Sequence, residues 1–289
     1  MPSQRDTIFL EDAEILSHTA FEGKQYILTV RAPVIAAHAR PGSFAHLTCG
    51  PELHMRRPIS IMRAIPVRDE VIFLYKAVGA GTALLAHREP GESISVLGPI
   101  GRPFELHGNH PRPLLIGGGV GMPPMVFLAD TIRQHHRNFS PLAILGSEVP
   151  FPFSLRPSEF MLPGIPAGVI ATMPLMEDWN IACRLASKQG YAGCHDGYVT
   201  DLARYWLDAL SESQRQDVEV FACGPHPMLE AVATLAREYG LPCQVSLEEF
   251  MACGVGGCAG CVVEVQTDAG PTMQRVCVDG PVFDARQVF

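Results

Sequence analysis

Basic residues are scarce in this 289-residue chain: Lys and Arg total 22 against 30 Asp and Glu, a formal net charge of −8 at pH 7. Such a chain lacks the positive face that binds a phosphate backbone, so nucleic acid is not an expected partner. Charged residues make up only 18% and hydrophobic ones 47%, which excludes a disordered polyelectrolyte. No long hydrophobic run is present. The uncharged stretch 113–129 is interrupted by Gly117, Gly118, Gly119, Gly121 and three prolines, a composition that a membrane-spanning helix tolerates poorly. The opening residues, MPSQRDTIFLEDAEIL, lack the basic and then apolar segments of a secretory signal. A cytoplasmic protein without a membrane segment is therefore expected. Nine cysteines are an odd count, which argues against a wholly disulfide-paired framework and for metal or redox use.

From residue 1 to about 105 the chain carries short Val-, Ile-, Phe- and Tyr-rich runs, such as Gln25 to Val30 and Glu70 to Tyr75, separated by turn signals at Pro41-Gly42 and Pro90-Gly91. That rhythm predicts a small antiparallel barrel. After Pro113 it changes. Leu114, Leu115 and Ile116 end in a glycine cluster, and Met125, Leu128, Ala129 and Ile132 follow at helical spacing. Apolar runs at Leu142–Leu145, Gly168–Ala171 and Val218–Ala222 then alternate with helical patterns, including one after a candidate cap at Thr200 and another closed by Gly240. Alternation of this kind predicts a parallel sheet covered by helices. The expected division is a barrel over 1–108, an α/β unit over 109–243 and a Cys/Gly-rich module over 244–289.

In that last module Cys253, Cys258, Cys261 and Cys277 stand in the pattern C-x4-C-x2-C-x15-C, close to the plant-type [2Fe-2S] spacing. Three thiolates from one short loop require a backbone folded tightly around the inorganic core, and Gly254, Gly256, Gly257 and Gly260 permit that. A hairpin from Val262 to Val265 and back from Arg275 to Val278 would return the fourth cysteine. A structural zinc site with four cysteine ligands remains open, although zinc ribbons usually bring two CxxC pairs and this tail has one. Cys49, Cys183, Cys194 and Cys243 lack ligand spacing and read as structural.

Two further segments gain meaning only together. Arg56-Arg57-Pro58-Ile59-Ser60-Ile61 places a cation, which could pair with a diphosphate, and a hydroxyl on one strand; alone, a solvated arginine at a strand edge is the better explanation. Gly117-Gly118-Gly119-Val120-Gly121 lies between a strand and a helix. It is either a tight turn without a ligand or a loop whose amides meet a pyrophosphate at the helix N-terminus. Cys223, which begins Cys223-Gly224-Pro225, falls at the carboxyl end of a strand, where open α/β sheets bind ligands.

Arg57-Pro58-Ile59-Ser60, Leu97-Gly98-Pro99-Ile100-Gly101 with Phe104, the glycine run 117–121 and Phe221-Ala222-Cys223-Gly224-Pro225 occur in that order, and together they resemble the ferredoxin-NADP reductase superfamily. The resemblance implies an FAD site on the barrel. It would be formed by Arg57, Pro58, Ile59 and Ser60, by Leu74, Tyr75 and Lys76, and by a Gly81-Thr82 loop at the diphosphate. It further implies an NAD (NADH) site flanked by Gly117, Gly118, Gly119, Gly121, Gly224 and Pro225, with Cys223 near the nicotinamide. Ile59 stands where many members have an aromatic ring, and Tyr75 is the expected substitute.

Adding Leu247–Gly254 and Val276–Phe283 narrows the resemblance to the electron-transfer subunits of type B dihydroorotate dehydrogenases, over almost the whole chain. The chain looks longer than usual for that group around residues 148–200 and 211–217. The resemblance implies a separate FMN-containing dihydroorotate dehydrogenase catalytic subunit as partner, with electrons passing through the cluster and FAD to NAD+ in pyrimidine biosynthesis. Relatives that share the Cys-Val-Asp-Gly-Pro ending, such as sulfide dehydrogenase and NADH-dependent ferredoxin-NADP oxidoreductase, tend to carry Asp at the position of Cys253, which favours the dihydroorotate reading. A hydrogenase-type partner and a zinc-stabilised binding module without enzymatic activity are the alternatives. NAD is expected over NADP because Gly146-Ser147-Glu148 offers an acid and no arginine for a 2′-phosphate.

Overall fold

A computed structural model describes residues 7–289; residues 1–6, part of the expected barrel range, lie outside the described residues. Six strands, β1 (Phe9–Phe21), β2 (Gln25–Arg31), β3 (Phe44–Leu47), β4 (Arg57–Ile65), β5 (Glu70–Lys76) and β6 (Ser93–Ile100), close an antiparallel barrel in the order β1-β2-β5-β4-β3-β6. Short helices α1 (Pro33–His38) and α2 (Ala80–Leu85) interrupt it. Period-two alternation fills the interior: Ile59 and Ile61 of β4 and Phe73 and Tyr75 of β5 face inward, whereas Met62 and Leu74 face outward into a second core. Each large apolar side chain removed from water contributes roughly 1.5–3 kcal/mol.

The second unit is a six-stranded sheet containing β7 (Arg112–Gly118), β8 (Leu142–Gly146), β11 (Ala182–Ala186), β12 (Val218–Cys223), β13 (Cys243–Ser246) and β16 (Val282–Asp284), in the order β11-β8-β7-β12-β13-β16. All neighbours are parallel except β16. A two-stranded piece, β9 (Arg156–Pro157) with β10 (Ala171–Thr172), stands apart. The run at Gly168–Ala171, expected as a parallel strand, contributes only to that piece. Its place in the sheet belongs to β11, which the sequence disguises with a buried Arg184. Helices α3 (Met122–His135), α4 (Pro174–Asp178), α5 (Val199–Ala209), α6 (Glu212–Gln216), α7 (His226–Glu238) and α8 (Ala285–Val288) complete the unit.

Between β13 and β16 the chain leaves the sheet to form the cysteine loop and a hairpin of β14 (Val262–Thr267) and β15 (Gly270–Arg275). The boundary expected at 243/244 therefore falls inside β13, and Val282–Asp284 return to the sheet as β16 before α8 ends the chain. Apolar periodicity misses this because strands of three and four residues are too short to show one.

The three parts share their cores. One cluster runs from Phe44 and Ile100 of the barrel through the sheet to Cys261, Val265, Val276 and Cys277. On the other side α3 lies across β4, where buried Asp130 accepts from Arg63 Nε at 2.9 Å and from Arg133 Nε at 2.7 Å. The Trp179 ring lies against both guanidinium groups. Among the described residues, no helix is long and apolar enough to cross a membrane.

Candidate redox site

The cysteine loop folds as its glycines require. Gly254 and Gly256 have φ of 69° and 79°, and Ala259 follows at 52°. This left-handed backbone turns amides toward sulfur: Val255 N–H donates to Cys253 Sγ at 3.4 Å and Gly260 N–H to Cys258 Sγ at 3.4 Å. The β14–β15 hairpin opposes Val262 to Arg275 and so carries Cys277 back to Cys261, whose Sγ accepts from the Cys277 amide at 3.5 Å. Arg275 locks this return. Its Nη1 donates to Gly256 O at 3.2 Å and its Nε to Asp279 Oδ2 at 3.3 Å.

The Cys253 thiol interacts with that of Cys258 and the Cys277 thiol with that of Cys261, and the charge of Cys253 also reaches Cys277. A binuclear cluster takes two thiolates per iron. Desolvation works against ionising Cys253, but the amides of Val255 and Cys258, the Cys258 thiol and the Gly257 amide together lower it to about 7. Burial, the Cys261 thiol and the charge of Cys261 push Cys277 up to about 12. Paired thiols, sulfur-directed amides and a tight glycine backbone fit a [2Fe-2S] cluster.

On the barrel, Arg57 and the Gly81-Thr82 loop meet. A Cβ on Gly81 would lie 2.5 Å from Arg57 Nε and 2.8 Å from its Cζ, so only glycine lets the guanidinium rest on the opening turn of α2, where helix N–H groups lack helical partners. Thr82 Oγ1 fixes that turn by accepting from Val78 and Gly79 amides at 3.1 and 3.2 Å. A cation laid on free amides fits the diphosphate of FAD. Ser60, two residues before the outward-facing Met62, lies on the outer face of β4 and is half-buried. Pro58 pairs with His46, and Ile59 points into the barrel at 8% exposed.

Tyr75 does not present a ring outside. It is 2% exposed, stacks on Tyr26 at 5.3 Å and hydrogen-bonds His18 Nε2 at 2.9 Å. Leu74, on the opposite face, lines an apolar cavity of about 120 Å³ with Met62, Met122 and Phe153. Lys76 ends β5 opposite Gln25.

In the sheet, β8 lies on one side of β7 and β12 on the other, so the strand order reverses at the β7/β12 junction, a position where open sheets bind dinucleotides. Both glycine turns occur there, since Gly117 pairs with Cys223. The turns touch backbone to backbone: a Cβ on Gly121 would lie 2.2 Å from Cys223 O, and one on Gly224 would lie 3.3 Å from Gly118 Cα. Gly119 has φ of 55°. Pro225 N-caps α7. The helix-terminus part of the expectation needs amendment. Pro123 and Pro124 occupy the first turn of α3, and the Met122 amide is already bonded to Gly119 O, so few donors remain for a pyrophosphate. Cys223 is 1% exposed. Burial pushes its thiol up, Glu248 adds to this, and the Ser246 side chain opposes it.

Glu148 is exposed just past β8. Sequence reasoning missed Lys188, beyond the end of neighbouring β11, whose Nζ donates to Tyr198 Oη at 2.6 Å and sits 3.9 Å from that ring's centroid. It also missed Ser246 and Glu248 beside Cys223, which no linear pattern links. The Leu97–Gly101 motif seats the cysteine module. Gly101 adopts φ of 94°, a Cβ there would lie 2.3 Å from Pro281 Cδ, and the next residue, Arg102, donates its amide to Gly280 O.

Barrel, reversing parallel sheet and paired-thiol loop define an iron–sulfur reductase of the ferredoxin-NADP reductase fold. A solved NADH-dependent reduced ferredoxin-NADP oxidoreductase matches with a TM-score of 0.77 and 25% identity, covering 96% of this chain and 90% of that one. The family model for the iron-sulfur cluster binding domain of dihydroorotate dehydrogenase B matches residues 248–289. The dihydroorotate dehydrogenase B (NAD(+)) electron transfer subunit of Shouchella clausii (strain KSM-K16) is 31% identical, over 95% of this chain and 96% of the relative. That of Geobacillus thermodenitrificans (strain NG80-2) is 32% identical, over 96% and 98%. The chain belongs to the family of dihydroorotate dehydrogenase B electron-transfer subunits.

Proposed function

We propose that this chain is the NAD-linked electron-transfer subunit of a cytoplasmic dihydroorotate dehydrogenase, working beside a separate FMN-containing catalytic subunit in pyrimidine biosynthesis. The carrying observation is the seam between cysteine loop and barrel. Gly254 packs on His46 of β3, and β3 is hydrogen-bonded to β4, which bears Arg57 and Ser60. The two cofactor sites thus share one pair of strands. When bound, FAD supplies the exchange between single electrons and hydride that neither an iron–sulfur cluster nor nicotinamide performs alone.

The residues have separate tasks. Arg57, Gly81 and Thr82 hold the FAD diphosphate, while Ser60 presents its hydroxyl beside the flavin ring. Pro58, Ile59, Leu74, Tyr75 and Lys76 shape the strands beneath. Gly117, Gly118, Gly119, Gly121, Gly224 and Pro225 form the floor on which NAD lies, and Cys223, kept as a neutral thiol by burial, excludes water beside the nicotinamide. Cys253, Cys258, Cys261 and Cys277 ligate the two irons. Oxidation of dihydroorotate to orotate on the partner releases two electrons, which pass singly through this chain; with one proton they convert NAD+ to NADH.

The test combines the chain with such a catalytic subunit and follows NADH formation at 340 nm. Dihydroorotate-dependent reduction of NAD+ is expected. NADH oxidation by artificial acceptors without any dihydroorotate-dependent coupling would favour a reductase serving another partner, the reading closest to the NADH-dependent ferredoxin-NADP oxidoreductase.

A further inference from the structure

His46 is an unpartnered polar group at the seam between the barrel and the cysteine loop. It is 1% exposed, in a strand whose four residues are all buried, and neither ring nitrogen has a hydrogen-bond partner. A buried polar group left without a partner costs roughly 1–3 kcal/mol, so its retention in a barrel wall needs a reason. The ring reaches the cysteine loop. A Cβ on Gly254 would lie 2.9 Å from His46 Cε1 and 3.0 Å from Nε2, and Gly254, with φ of 69°, immediately follows Cys253. Burial, reinforced by the Arg56 guanidinium, lowers the ring to about 4. A neutral imidazole carries one N–H donor. Arg56 does not bond the ring: it donates to Ser95 O at 2.8 Å, to Ser95 Oγ at 3.0 Å and to the His46 backbone carbonyl at 3.4 Å.

We propose that His46 donates its free ring N–H to sulfur of the iron–sulfur group held by the Cys253 loop, and thereby sets the potential at which an electron crosses between flavin and cluster. This rests on the cluster assignment above. A hydrogen bond to sulfur stabilises the extra negative charge of the one-electron-reduced form, so it raises the reduction potential. His46 is a positioning residue for the electron: it binds no substrate, and it joins a group clasped by the C-terminal loop to the strand pair that carries Arg57 and Ser60.

The test uses the full chain purified anaerobically with FAD and cluster, and titrates its potential by EPR. His46→Phe is expected to shift the cluster's reduced-to-oxidised ratio at fixed potential about tenfold toward oxidised, which is about 59 mV downward for one electron, with the FAD midpoint unchanged. His46→Gln, which keeps an N–H donor, should restore much of the shift. In the wild type, nitrogen-15 histidine labelling should give a weak histidine coupling in pulsed EPR of the reduced cluster, a result independent of whether the variants fold. A rhombic cluster signal without that coupling, or an unaltered cluster potential in His46→Phe, overturns the inference alone. Absence of any iron–sulfur signal overturns the cluster assignment with it.

Discussion

At the scale of single residues, two glycines are defined by the side chains they admit. Gly81 admits the Arg57 guanidinium, so Gly81→Ala should displace the cation and weaken FAD binding about tenfold, or about 1.4 kcal/mol, as read by fluorescence titration; unaltered affinity would remove Arg57 from the diphosphate site. Gly254 admits His46. That ring is lowered from 6.5 to about 4 by burial and then by Arg56, so between those values the unfolded chain holds a proton that the folded one refuses. The contribution is full above pH 6.5 and declines as pH falls, by about 2 kcal/mol at pH 5. Urea unfolding at pH 7.5 and 5 should show the wild type losing about that much more stability than His46→Phe. The cysteine spacing was legible in the sequence. His46 was not, because its partner lies more than two hundred residues away, and the inward turn of Tyr75 follows from strand register, which sequence leaves open until the barrel closes.

Among the elements, alternating barrel strands, the glycine-ended β7 and α7 closing at Gly240 were readable from periodicity and turn residues. β11 was not: Arg184 sits in its middle, 4% exposed, its Nη1 and Nη2 donating to the carbonyls of Cys183 and Phe160, so a nearly buried strand reads as polar. The cap of α5 also moved. The helix begins at Val199, and Asp201 reaches back to the Tyr198 amide at 2.8 Å, leaving Thr200 inside. Where β7 and β12 end, Gly121 lies against the Cys223 carbonyl. Gly121→Ala must force these turns apart, and the KM for NADH with an artificial acceptor should rise about tenfold, a loss of about 1.4 kcal/mol in binding, while FAD is retained. An unchanged KM would place nicotinamide elsewhere.

For the whole molecule, the edge strand β16 and its neighbour β13 bracket the cysteine module, and one apolar core runs through barrel, sheet and module. The module is thus an insertion held at both ends. Cys277→Ser should accordingly remove the cluster and the coupling to the partner, yet leave NADH oxidation through FAD with artificial acceptors within about twofold of wild type, since the serine occupies the same buried corner and most of the packing survives. Loss of both activities would mean that the flavin unit needs the cluster to fold. The most direct measurement is metal and sulfide analysis of the anaerobically purified full chain, with EPR after reduction. Two irons and two inorganic sulfides per chain with a rhombic signal, abolished by Cys277→Ser, are expected; a single zinc per chain without inorganic sulfide would contradict the paired-thiol cluster.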